Sequence, residues 1–132
     1  MPRENVEMVR ETFARLRRRE PVLDVLSPDI LWEVRSGPEQ GDYRGVEAVA
    51  EYYRRYFGTW EDFRIEIEEI HDLSDGRVFV VARDSGRGKG SGVEVEMLVF
   101  QIWTLSEGKV VRWQGFPSRE QALEALEPAD SS

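Results

Sequence analysis

The chain has 132 residues, enough for one domain whose core needs no covalent staple. It has no cysteine, which excludes disulfides, thiolate metal sites and cysteine nucleophiles. Eighteen Lys and Arg against 26 Asp and Glu leave a net charge of −8, which opposes the phosphate backbone of nucleic acids. No apolar run approaches the ~20 residues of a membrane span. No charged-then-apolar leader opens the chain either, so a cytoplasmic protein with no nucleic-acid or membrane partner is expected.

Val6, Val9, Phe13 and Leu16 recur at helical spacing, with Arg10, Glu11, Arg15 and Arg17 on the opposite face. Asn5 suits the N-cap, and Arg17, Arg18 and Arg19 suit the C-terminal end of the helix dipole. Glu20-Pro21 interrupts the pattern. Pro21 then opens a short second helix carrying Val22, Leu23, Val25 and Leu26, which Ser27-Pro28-Asp29 ends. Ile30 to Arg35 alternates as a strand. Ser36 to Gly45 holds three glycines and a proline and reads as a polar loop.

Val46, Val49, Tyr53, Tyr56, Phe57 and Trp60 mark a second long amphipathic helix, closed near Gly58. From Phe63 the period becomes two: Phe63, Ile65 and Ile67 alternate with Arg64, Glu66 and Glu68. A change of phase at Glu69-Ile70 suggests a bulge. Ser74-Asp75-Gly76-Arg77 is a hairpin turn. Strands follow over Arg77–Lys89, Gly92–Ser106 and Lys109–Phe116, the last two joined at Ser106-Glu107-Gly108. Ser118 and Gln121 form a capping box for a last helix through Leu126. Residues 1–127 make a single domain, and Pro128 to Ser132 reads as a disordered tail.

Helices first and a meander of strands afterwards make an α+β fold. Both faces of the long strands carry apolar groups. Phe79, Val81, Leu98, Phe100 and Ile102 project opposite to Val78, Val80, Val95, Val99 and Trp103. One face meets the helices, and the other calls for a partner, for which a homodimer formed through the outer sheet face is the economical answer.

This order of elements resembles the SnoaL-like, ketosteroid-isomerase-like branch of the nuclear transport factor two superfamily. The resemblance rests on Asn5-Val6, Asp42-Tyr43-Arg44-Gly45, Gly88-Lys89-Gly90-Ser91-Gly92 and Gly108-Lys109-Val110-Val111, and it covers nearly the whole chain. It implies a cone-shaped, curled, mostly antiparallel sheet with three to four helices enclosing a pocket. It also implies places for known catalytic groups. Ketosteroid isomerase has an oxyanion tyrosine, a base aspartate and a protonated aspartate, which match Phe13, Val34 and Gln101. SnoaL-type cyclases and limonene epoxide hydrolase have an aspartate where this chain has Gly115. The histidine-aspartate pair of scytalone dehydratase has no match, because His71 is the only histidine. The familiar proton-shuttle chemistry needs acids and bases at those places, and here they are absent.

Strand parity then defines a pocket. With the hairpin tip near Lys89-Gly90, Ala82 falls opposite Met97, Asp84 opposite Val95 and Val78 opposite Gln101. Val78, Val80, Ala82 and Asp84 face Val95, Met97, Val99, Gln101 and Trp103, joined by Trp113 and Gly115 and by Ile30, Trp32 and Val34. Tyr53, Tyr56 and Trp60 close the pocket from the long helix, and Phe13 closes it from the first. Such a cavity, aromatic and mostly apolar, suits a small hydrophobic ligand and requires no cofactor.

Asp84 breaks the apolar series. It is either a buried carboxylate of raised pKa serving as acid or base, or a rim residue paired with Arg83, Arg87 or Lys89. Gln101, in mid-strand, either meets a ligand or bonds internally to Tyr53 or Tyr56. The glycines at 86, 88, 90 and 92 join two strands and open no helix, so they are a hairpin and not a phosphate cradle. Glu66, Glu68, Glu94 and Glu96 point outward beside Arg64 and Arg83 as a solvated ladder, with Arg83 opposite Glu96, and no metal site is expected. Three functions stay open. The chain binds an apolar or aromatic molecule, or it isomerises, cyclises or hydrates one with Asp84 and Gln101, or it is a dimeric interaction domain with a filled cavity.

Overall fold

The computed structural model describes residues 2–37 and 39–126, so the expected tail lies outside the described residues. Helix α1 spans Pro2–Arg17. A single 3₁₀ turn follows at Leu23–Val25, then strand β1 (Leu26–Val34), β2 (Gly41–Arg44) and helix α2 (Val46–Gly58). The remaining elements are β3 (Trp60–Asp72), β4 (Arg77–Gly88), β5 (Glu94–Ser106), β6 (Lys109–Phe116) and helix α3 (Arg119–Leu126). The six strands form one curled, unclosed sheet in the order β2-β1-β6-β5-β4-β3. β1 runs parallel to β6, and every other pair is antiparallel. No described helix is long and apolar enough to cross a membrane.

Several local expectations are corrected. α1 begins before Asn5, which is a helical residue and not the cap. The second helix shrinks to one turn because Leu26 pairs with Val110 of β6, and β1 continues through Ser27 to Asp29. The polar loop contains β2, whose Asp42 and Tyr43 pair with Glu33 and Trp32. Trp60 opens β3 and does not belong to α2. The β4–β5 register also differs: Ala82 lies opposite Val99, Asp84 opposite Met97 and Val78 opposite Trp103. The tip is centred one position later, closed by Gly88 N–H to Val93 O, with Gly90 and Gly92 at positive φ. The pairing moves by two residues, so every side chain keeps its face. Arg83 now falls opposite Leu98, yet its guanidinium still reaches Glu68 and Glu96.

The inner face of the sheet packs on α1 and α2, burying Val9, Phe13, Val49, Val78, Val80 and Val110. The outer face is covered within the chain. Ala122 of α3 is fully buried on Phe79, Val81, Phe100, Ile102 and Phe116, and Leu126 adds to the contact. Arg119 clamps this helix by an ion pair to Glu69 and lies over the Phe100 ring at 5.5 Å. The apolar surface from which a second copy was inferred is therefore mostly roofed by α3. Among the outer residues that carried the inference, Leu98 stays exposed. Val95 and Met97 are also exposed, because β5 before Phe100 runs past the end of β6.

Seating α3 is a distinct energetic step. Ala122→Glu buries an unpaired charge there and is expected to cost about 2–4 kcal/mol, read by urea unfolding, with new binding of a hydrophobic dye to the uncovered face.

Candidate functional site

The inner face and α2 enclose a cavity of about 450 Å³, within the range of small-molecule sites. Phe13, Trp32, Val34, Tyr53, Tyr56, Trp60, Asp84, Met97, Val99, Gln101, Trp103, Trp113 and Gly115 all line it. Ile30, Val78, Val80 and Ala82 share that face but are buried in the core beside the cavity. Tyr52 was missed and also lines it; its position four before Tyr56 is the helical signal that would have found it. Leu16 is found the same way, three after Phe13.

Cross-strand pairing lays the polar groups out in rows. Trp32, Trp113, Trp103 and Val78 form one row, and Val34, Gly115, Gln101 and Val80 form the next. Trp32 and Trp113 stack with centroids 4.2 Å apart and planes 11° apart. The Trp113 ring folds along its own strand over Gly115, where a Cβ would come within 2.3 Å of it. Glycine at 115 is thus the space the indole needs. The amide oxygen of Gln101 accepts from Trp103 Nε1 at 2.8 Å and from Trp113 Nε1 at 3.3 Å, so its internal partners are indoles and not Tyr53 or Tyr56.

Asp84 is 4% exposed. The rim reading therefore fails, and neither Arg83 nor Arg87 pairs with it: they bond to Glu68, Glu96 and Asp62. The Tyr56 hydroxyl donates to Asp84 Oδ2 at 2.5 Å. Oδ1 is buried with no partner among the described residues. Burial pushes the Asp84 carboxyl up to about 6, against the lowering effect of the Tyr56 hydrogen bond. Burial first, and the neighbouring carboxylate second, pushes the Tyr56 hydroxyl far up, so it stays a donor. Desolvation likewise raises Tyr52 and Tyr53. The site thus holds one acid–base group poised near neutrality, one fixed amide and a wall of aromatic rings.

A curled α+β sheet closed over an aromatic cavity defines a small-molecule pocket fold. The family model for the SnoaL-like domain matches residues 6–113, and the chain belongs to that family, within the nuclear transport factor two-like superfamily. No curated protein matches it in sequence. Among solved structures, TerC co-crystallised with polyporic acid is 20% identical, with a TM-score of 0.76 over 94% of this chain and 97% of that one. A nuclear transport factor two-like protein from Burkholderia thailandensis E264 is 25% identical, with a TM-score of 0.77 over 94% and 98%. A protein from Jannaschia sp. CCS1 classed as a SnoaL-like polyketide cyclase is 20% identical, with a TM-score of 0.74 over 94% and 93%.

Two outcomes follow from this geometry. The Asp84 carboxyl titrates near 6 in the fold and near 3.8 when free, so between those values the folded state holds the extra proton. Stability then falls as pH rises from about 4 to 6, by up to about 3 kcal/mol, and Asp84→Asn removes that fall in urea titrations across the window. Gly115→Ala forces the Trp113 ring off the strand; the near-ultraviolet circular dichroism of the stacked indoles is expected to collapse while the far-ultraviolet spectrum is kept.

Proposed function

We propose that the chain is an acid–base enzyme acting on a flat, mostly apolar small molecule, with Asp84 as the proton-transferring group. The observation that carries this is a carboxylate inside an aromatic cavity with one oxygen held by Tyr56 and the other unpartnered. A group titrating near the working pH can both take and return a proton, which is what general acid–base catalysis needs. In the ionised form Oδ1 accepts a proton from a C–H or O–H of the ligand, and the protonated carboxyl returns it at a neighbouring atom. One proton leaves and one comes back, as isomerisation or cyclisation requires. Tyr56 keeps Oδ2 occupied, so Oδ1 is the reacting oxygen. The polyporic acid co-crystallised with TerC supports a flat oxygenated ligand.

A binding protein without turnover is the second reading. Phe13, Val34 and Gly115 favour it, since they stand where the resemblance puts the tyrosine and aspartates of known enzymes.

The enolisable bicyclic ketone 2-tetralone separates the two. Bound in heavy water, it is expected to exchange its α-protons faster than in buffer, with a rate that rises as pH passes about 6. Asp84→Asn lowers that rate by roughly 10²-fold or more while the ketone still binds. Binding without exchange in the wild-type protein leaves the second reading.

A further inference from the structure

The orientation of Gln101 is settled by chemistry. An indole N–H donates and cannot accept, so both tryptophans that reach Gln101 need its carbonyl oxygen. With that oxygen shared, the NH2 group is directed away from the indoles. Among the described residues no acceptor takes its protons, and Gln101 lines the cavity. Trp32, paired with Trp113, adds a buried indole N–H that also lacks a partner among the described residues. This end of the cavity offers donors.

Asp84 lies at the other end. Gln101 pairs with Val80, and Asp84 follows Val80 by four positions on the same face. At about 3.3 Å per residue, this is ~13 Å of strand. A carbonyl oxygen on Gln101 and a proton leaving to Asp84 then belong to well-separated atoms of one ligand. The amide is thus set apart along the strand from the carboxyl that exchanges the proton.

We propose that Gln101, oriented by Trp103 and Trp113, is a recognition residue for a neutral carbonyl oxygen at the end of an elongated ligand remote from Asp84. This rests on the reading of Asp84 as the reacting end. It names a ligand class: flat aromatic molecules whose carbonyl end and proton-bearing end are about 10 Å apart, allowing for the reach of the two side chains. The oxygen is neutral because no Arg or Lys is among the residues lining the cavity, and a buried anion would stand unpaired. Trp103 and Trp113 are positioning residues.

The test uses 4′-hydroxybiphenyl-4-carbaldehyde, with 4-hydroxybiphenyl and biphenyl-4-carboxylate as comparisons, and reads affinity from quenching of the cavity tryptophans. The aldehyde is expected to bind tighter than 4-hydroxybiphenyl by on the order of tenfold, and the carboxylate weakest. Its carbonyl stretch moves to lower frequency on binding. Gln101→Met removes both the preference and the shift, so that the aldehyde binds no tighter than 4-hydroxybiphenyl. Should that variant fail to fold, the wild-type comparison and the carbonyl band decide alone. Equal affinities, an unshifted band or a preference that survives in Gln101→Met overturns the Gln101 subsite. Asp84→Asn is expected to keep the aldehyde preference. If the preference holds while wild-type 2-tetralone exchange is absent, the acid–base reading fails and the subsite stands. No binding of any probe overturns both.

Discussion

A carboxylate enclosed by aromatic rings is the constraint on which this molecule turns. Asp84 interrupts the run Val78, Val80, Ala82 on the inner face of β4, and the fold buries it with them. Its ionised form is disfavoured there, and the Tyr56 hydroxyl is the contact that offsets part of the cost. That contact sets α2 against β4: Tyr56 reaches Asp84 only because Val49, Tyr52 and Tyr53 lay the same helical stripe on the sheet. A domain is typically stable by about 5–15 kcal/mol, so an ionised carboxylate costing up to about 3 kcal/mol is a large fraction of the total. An apolar residue at 84 would serve the fold better. Violations of that kind concentrate at functional sites.

The other polar arrangement follows from packing. Trp113 needs the space over Gly115, and with Trp32 it builds a two-indole wall. A carboxylate at 115, as the resemblance places one in cyclases, would collide with that ring. The loss of an acid at this position and the gain of the tryptophan wall are thus one structural fact. The wall in turn fixes the Gln101 amide. The chain keeps the cone of its family while carrying its titratable group on β4 beside α2.

How much of this was legible in the sequence depends on the range of the interaction. Period-two alternation placed the residues of β3 to β6 on their faces, and the Asp75-Gly76 and Glu107-Gly108 turns punctuated the meander where the chain adopts positive φ. Long-range partners were harder. The four-residue β2 exists because β1 offers an edge to pair with, and nothing local in a glycine-rich loop announces that. The roof over the outer face depends on where α3 lands, which its short, weakly amphipathic stretch does not reveal. Parity brought the pocket residues to one face, but the two-residue error in register put Gln101 opposite Val78, six positions from Asp84, where the structure has it opposite Val80, four positions away. The sequence reading could not choose between a rim and a buried Asp84, because that depends on where α2 ends, a tertiary matter.

The central claim is that Asp84 is held in a low-dielectric cavity with its proton affinity tuned toward neutrality. The most direct measurement is a carbon-13 NMR titration of the aspartate side-chain carboxyls, assigned with Asp84→Asn. The account predicts one resonance with a midpoint near 6 that is missing from the variant. A midpoint for Asp84 below 4 would contradict it, since a carboxylate that ionises as easily as one in water is not enclosed by those rings.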